Sequence, residues 1–118
     1  MVYAVILAGG SGTRMGTEVP KQFLNICSRP VIVRSADAFI NSGLCDYIII
    51  TVPAEFTDYT RSLVKEYRPD DEIDVISGGK NRNSSLLNAL EFIKLNKPYD
   101  GDTVVLTHDA VRPFINKR

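Results

Sequence analysis

The sequence predicts a three-layer α/β domain built on a mostly parallel sheet. Continuous apolar, partly β-branched runs recur along it, as expected of strands covered on both faces. Segments with helical spacing separate these runs, giving a β-α-β-α-β-α-β alternation. Loops rich in glycine, hydroxyl and charged residues follow the strands, where open α/β sheets bind their ligands.

The elements follow in order. Residues 2–8 form the first apolar run, and the same texture returns at 47–52 (Tyr-Ile-Ile-Ile-Thr-Val) and 103–107 (Thr-Val-Val-Leu-Thr). A weaker strand at 72–76 precedes Ser77-Gly78-Gly79. The first helix begins with Pro30 as its first residue and runs through Ser42. Ile32, Ala36, Phe39 and Ile40 share one face, and Gly43 is the stop. A second helix spans about 56–67 and is ended by Pro69. The third spans about 83–96, with Leu86, Leu87, Leu90 and Ile93 on its inner face and Pro98 closing it. The chain stops at Arg118 just after a strand and loop, where the alternation calls for another helix. That points to the N-terminal half of a larger domain.

Composition narrows the function classes. With 118 residues, 44% hydrophobic and 24% charged, the chain suits one compact globular domain rather than two, or than a disordered one. Fourteen Lys plus Arg balance fourteen Asp plus Glu, so no overall basic field draws nucleic acid or an anionic membrane surface. Any anion site must be local. Cys27 and Cys45 form no CxxC pair, which argues against a disulfide framework or zinc site and fits a reducing cytoplasm. The apolar opening has no preceding Lys or Arg and meets Gly9-Gly10 far short of a membrane span, so it reads as a buried strand rather than a signal or anchor.

Three loops carry the chemistry, and all three belong on one edge if the strands run parallel. The first reads Gly9-Gly10-Ser11-Gly12-Thr13-Arg14-Met15-Gly16, followed by Pro20-Lys21-Gln22-Phe23-Leu24. Its glycines let the backbone approach a ligand and present N–H groups as an anion nest, although such a loop can also be a tight turn alone. Arg14 is a planar fork and Lys21 a mobile point charge, a pair suited to a polyphosphate. The second loop is Gly78-Gly79-Lys80-Asn81-Arg82-Asn83-Ser84-Ser85. Asn83 or Ser84 can cap the helix that follows. Capping leaves unexplained the two cations, Lys80 and Arg82, which oppose the helix dipole unless an anion lies between. The third loop is Thr107-His108-Asp109-Ala110-Val111-Arg112-Pro113-Phe114. Asp109, just past an apolar strand, suits Mg²⁺ ligation or pairing with a nearby arginine such as Arg112. His108 reads as a structural histidine rather than a base.

Two familiar phosphate motifs are excluded. A dinucleotide fingerprint would place its third glycine where Met15 stands and an acidic residue at the end of the second strand, where the sequence has Thr51-Val52-Pro53. A Walker A loop needs Gly-Lys-Ser/Thr, but Thr17-Glu18 follow Gly16 and Asn81 follows Gly79-Lys80.

The stretches at 7–16, 20–24, 78–85 and 107–114, taken together, closely resemble the cytidylyltransferases that activate sugar-alcohol phosphates, namely the 2-C-methyl-D-erythritol 4-phosphate and ribitol-5-phosphate enzymes. Between these branches, Phe23, the Arg82-Asn83 pair, Thr107 and Val111 look more like the ribitol enzymes. The resemblance implies a Rossmann-like nucleotidyltransferase fold, with this chain as the CTP-binding N-terminal part of a single domain. It places Leu7, Ala8, Gly9, Gly10 and Gly12 around CTP with Gly79, Lys80, Arg82, Asn83 and Ser85. Arg14 and Lys21 take the positions of transition-state cations, and Asp109 that of the Mg²⁺ ligand. It further implies a sugar-alcohol phosphate as acceptor, no nucleic-acid or membrane partner, and a homodimer at full length. Gly79 would let backbone approach the cytosine. A CTP-binding module without turnover is the alternative.

Overall fold

The computed structural model describes residues 1–8, 25, 26 and 28–110. Its main sheet has four strands in the order β5-β4-β1-β6, where β1 is Val2–Leu7, β4 Tyr47–Val52, β5 Ile73–Ser77 and β6 Val104–Asp109. All three pairings are parallel. A small antiparallel hairpin, β2 (Asn25–Ile26) with β3 (Arg29–Pro30), precedes the first helix, and its Ser28 turns at a left-handed φ of 72°.

Strand alternation divides the core into two clusters. On one face Ala4, Ile6 and Ala8 of the β1 segment pack with Ile48, Ile50 and Val52 under α1 (Val31–Ser42) and α2 (Thr57–Tyr67). On the other, Tyr3, Val5, Leu7 and Ile49 pack under Ala89 and Ile93 of α3 (Arg82–Asn96). The result is the expected three-layer α/β arrangement. The β1 and β4 runs are apolar almost throughout because both strands are covered on both sides. Strand β6 departs from that expectation, since it lies at the sheet edge, leaves Val104 and Leu106 exposed and ends in Thr-His-Asp.

Helix boundaries follow local chemistry. Pro30 lies just outside α1, at its N-cap, rather than at its first helical position. Gly43 ends α1 as expected, in the left-handed region at φ 71°, where only glycine sits without strain. A short 3₁₀ turn, Ala54–Phe56, leads into α2.

The inner face of α3 differs from expectation. Its buried residues are Ser85, Ala89 and Ile93, with Leu86 and Phe92 partly buried beside them. Leu87 is 63% exposed and Leu90 38%. On a 100°-per-residue wheel the Ser85-Ala89-Ile93 stripe and the leucine stripe lie side by side, and the small residues win because they let the helix settle close on β1 and β4.

Register brings the strand ends to a common edge. Leu7 is paired with Thr51 on one side and Asp109 on the other, while Val52 pairs with Ser77. Each ladder continues into its loop: Ala8 N–H donates to Thr51 O at 2.9 Å, Gly78 N–H to Val52 O at 2.7 Å, and Ala110 N–H to Leu7 O at 3.1 Å. The chain leaves β1 toward β4 and later returns across the sheet to β6, so the strand order reverses between β1 and β6.

Candidate active site

The residues at this edge are positioned from the helix N-terminus upward. Asn81, not Asn83 or Ser84, caps α3: its Oδ1 accepts from Ser84 N–H at 2.8 Å, and Ser84 Oγ accepts from Asn81 N–H at 3.0 Å. This reciprocal capping box satisfies two backbone donors that the helix leaves unpaired. The signal is an Asn followed three residues later by Ser, two or three residues before the expected caps. Asn83 then falls inside the first turn and is exposed.

The glycines before the cap are set by close packing. A Cβ on Gly79 would lie 2.2 Å from Ser84 Oγ, 2.5 Å from Ser84 Cβ and 3.0 Å from the Ser84 carbonyl carbon. Gly79 therefore lets the loop lie against the first turn of α3. Its N–H donates to Ser85 Oγ at 3.0 Å, which fixes the buried Ser85 hydroxyl beneath the loop. Lys80 is exposed beside it.

Asp109 stands at the end of β6, in register with Leu7 and on the α3 face. Arg82, the first residue of α3, donates from Nε to Asp109 Oδ1 at 3.2 Å and from its guanidinium to Thr107 Oγ1 at 3.4 Å. The arginine partner that the sequence left open is thus Arg82, 27 residues away. Arg112 lies outside the described residues. In the sequence Thr107 serves only to distinguish the two branches, and nothing local to it foretells its contact with Arg82.

His108 points the other way. Its ring packs edge-on against Phe39 of α1, with centroids 5.8 Å apart and planes at 78°. Burial pushes its pKa below the usual imidazole value, against the opposing pull of Asp109. A neutral ring on the face away from Asp109 agrees with a structural histidine. One feature the sequence reading missed is Thr51, whose buried Oγ1 has no hydrogen-bond partner among the described residues.

The structure therefore brings Leu7, Ala8, Gly79, Lys80, Arg82, Ser85 and Asp109 to one edge. Gly9, Gly10, Gly12, Arg14 and Lys21 lie outside the described residues. The donor chemistry fits a hard divalent cation held by one carboxylate and completed by phosphate and water oxygens. Asp109 supplies that carboxylate, and among the described residues no group of three or more His, Cys, Asp or Glu forms a closed metal cage.

Comparison with known proteins decides the family. The model of the IspD family, 2-C-methyl-D-erythritol 4-phosphate cytidylyltransferase, matches residues 2–118. The chain belongs to the IspD family. Among curated IspD relatives, a ribitol-5-phosphate cytidylyltransferase of Lactiplantibacillus plantarum is 40% identical over 100% of this chain and 51% of its own length. The solved 4-diphosphocytidyl-2C-methyl-D-erythritol synthase of Anaerococcus prevotii is 26% identical, with a TM-score of 0.71 over 97% of this chain and 45% of that one. A Mycobacterium tuberculosis protein solved with manganese, 21% identical with a TM-score of 0.67, shares the fold. The chain spans about half the length of the relatives it matches. Among the described residues no helix is long and apolar enough to cross a membrane.

Proposed function

We propose that residues 1–118 are the CTP-binding N-terminal part of a single nucleotidyltransferase domain, in a cytoplasmic protein that transfers CMP from CTP to ribitol 5-phosphate. The products are CDP-ribitol and pyrophosphate. One observation carries this reading: Arg82 and Asp109 meet at 3.2 Å on the edge where all four parallel strands end, beside the Gly79 loop. The 40% identity with a ribitol-5-phosphate cytidylyltransferase supports the acceptor. The family description and the solved synthases favour methylerythritol phosphate as the second reading.

The chemistry asks for positioning more than proton transfer. A phosphate oxygen of the acceptor attacks the α-phosphorus of CTP, pyrophosphate leaves, and charge builds on the non-bridging oxygens. Because the nucleophile is already anionic, no general base is needed, and His108 is free to be structural. The backbone of Leu7, Ala8, Gly9, Gly10 and Gly12 lines the triphosphate. Gly79, Lys80, Arg82, Asn83 and Ser85 hold the nucleotide from the α3 side. Arg14 and Lys21 stabilise the charge that develops, and Asp109 binds Mg²⁺. When bound, that ion offsets phosphate charge as a Lewis acid.

The test uses the purified full-length protein, proposed to be a homodimer, with CTP, Mg²⁺ and each acceptor in turn. Pyrophosphate release with ribitol 5-phosphate is expected. Turnover with methylerythritol phosphate alone moves the acceptor, and CTP binding in a calorimeter without any CDP-alcohol formed reduces the protein to a nucleotide-binding module. Failure to bind CTP overturns the reading.

A further inference from the structure

We propose that Arg82 is a positioning residue that competes with the divalent cation for Asp109, so that metal and nucleotide enter the site together. The inference rests on the functional reading above, and specifically on Asp109 as the metal ligand.

Arg82 occupies an awkward place. As the first residue of α3 it puts a guanidinium at the positive end of the helix dipole, where a cation is disfavoured. What holds it is β6: Asp109 Oδ1 accepts from its Nε, and Thr107 Oγ1 from its guanidinium. The carboxylate that a metal needs is therefore already engaged by a cation. Arg82 is 51% exposed and Asp109 31%, so solvent screens the pair. An exposed ion pair of this kind orders side chains but yields readily to a stronger ligand.

Exchange at Asp109 follows from these contacts. A cation that takes Oδ1 removes the acceptor of Arg82 Nε–H and sets two positive groups side by side. In the absence of nucleotide, that repulsion and the lost hydrogen bond weaken metal binding. A triphosphate arriving at the Gly79 loop gives the released guanidinium new oxygen acceptors, and Arg is built for such bidentate contact. By linkage, nucleotide then tightens metal, and metal tightens nucleotide, by the same factor.

The test titrates Mn²⁺ alone, followed through the signal of free Mn²⁺ in electron paramagnetic resonance, into the full-length protein and its variants. Arg82→Met keeps an unbranched apolar stem and removes the guanidinium with its charge. It is expected to bind Mn²⁺ roughly three- to fivefold more tightly than wild type without nucleotide; fivefold is about 1 kcal/mol, the upper end for an exposed pair. The gain in Mn²⁺ affinity on adding CTP should shrink in the same variant. In wild type, the Arg82 Nε–Hε resonance should shift in step with Mg²⁺ occupancy. Unchanged or weaker Mn²⁺ binding by Arg82→Met, or an Arg82 resonance indifferent to saturating Mg²⁺, overturns the proposal. Asp109→Asn separates the two failures: if it leaves Mn²⁺ affinity intact, the metal assignment itself is wrong.

Discussion

Replacing Gly79 by alanine tests whether the loop before α3 is held by close packing. The added Cβ meets three atoms of Ser84, at 2.2 Å, 2.5 Å and 3.0 Å. Only the nearest, Oγ, can rotate away, and doing so breaks the capping box it closes with Asn81. The Ser84 Cβ and carbonyl carbon belong to the helix itself, so the loop must lift or the first turn must fray. Losing the cap costs about 1 kcal/mol and relieving the overlap about 1 to 3 more, giving roughly 2 to 4 kcal/mol in all. In a full-length protein of about the relatives' length, twice that of this chain, this lowers the midpoint of thermal unfolding by roughly 4 to 16 °C. Circular dichroism melts of the full-length protein measure it, with Gly101→Ala as control, because a Cβ there meets nothing within 4 Å. A Gly79→Ala protein that melts within a degree or two of the Gly101→Ala control would refute the packing argument.

Asp109→Asn should lower kcat by roughly 100- to 1000-fold while the melt stays near wild type, since its ion pair with Arg82 is exposed; steady-state pyrophosphate release and a melt together check both halves. Ala89→Leu should destabilise by about 1 to 3 kcal/mol, whereas Leu87→Ala should stay within about 0.5, as denaturant unfolding will show, because the first is buried under the sheet and the second is exposed. Lys97 lies 3.0 Å from Asp74, 3.5 Å from Glu72 and over the Tyr47 ring, so Lys97→Met should cost about 1 to 3 kcal/mol in the same assay. Stability should also fall in strong alkali. Hydrogen bonding to Asp74 raises the Lys97 pKa above its ordinary 10.5, and burial raises that of Tyr3 above 10.0. Both groups hold their protons more tightly when folded, so their contribution is complete below pH 10 and is lost as pH rises through the folded values. Melts from pH 8 to 11 in Lys97→Met should show a shallower decline.

The sheet was legible because its strands carry their own signature. Burial on both faces demands unbroken apolar runs, and β1 and β4 have them. The parallel alternation then required the loops after β5 and β6 to share an edge, and Gly79 and Asp109 do share one. The inner face of α3 was misjudged because hydropathy rewards Leu87 and Leu90, while close approach of helix to sheet rewards Ser85 and Ala89. Hairpin β2-β3 is too short to leave a periodic pattern. Contact between Arg82 and Asp109 was hidden for another reason: it depends on which helix N-terminus stands over the end of β6, a fact of topology rather than of neighbouring residues.

The resting charge of this edge bears on the roles proposed for Arg14 and Lys21. Arg82 and Asp109 neutralise one another, which leaves Lys80 as the exposed cation of the Gly79 loop. A triphosphate carries far more negative charge than one lysine offsets, and a chain with balanced charges provides no general field to help. The side built from α3 and β6 can therefore orient a nucleotide and offer a metal ligand, but it cannot by itself stabilise the charge of phosphoryl transfer. On the proposed function, that work would fall to Arg14, Lys21 and a cation held by Asp109. Arg14→Met or Lys21→Met should then lower kcat much more than Arg82→Met does, because Arg82 is proposed to exchange Asp109 for ground-state contacts with the triphosphate, which act on binding more than on the developing charge. Comparable losses of kcat in the three variants, measured at saturating Mg²⁺ and CTP, would show that this division of labour is wrong.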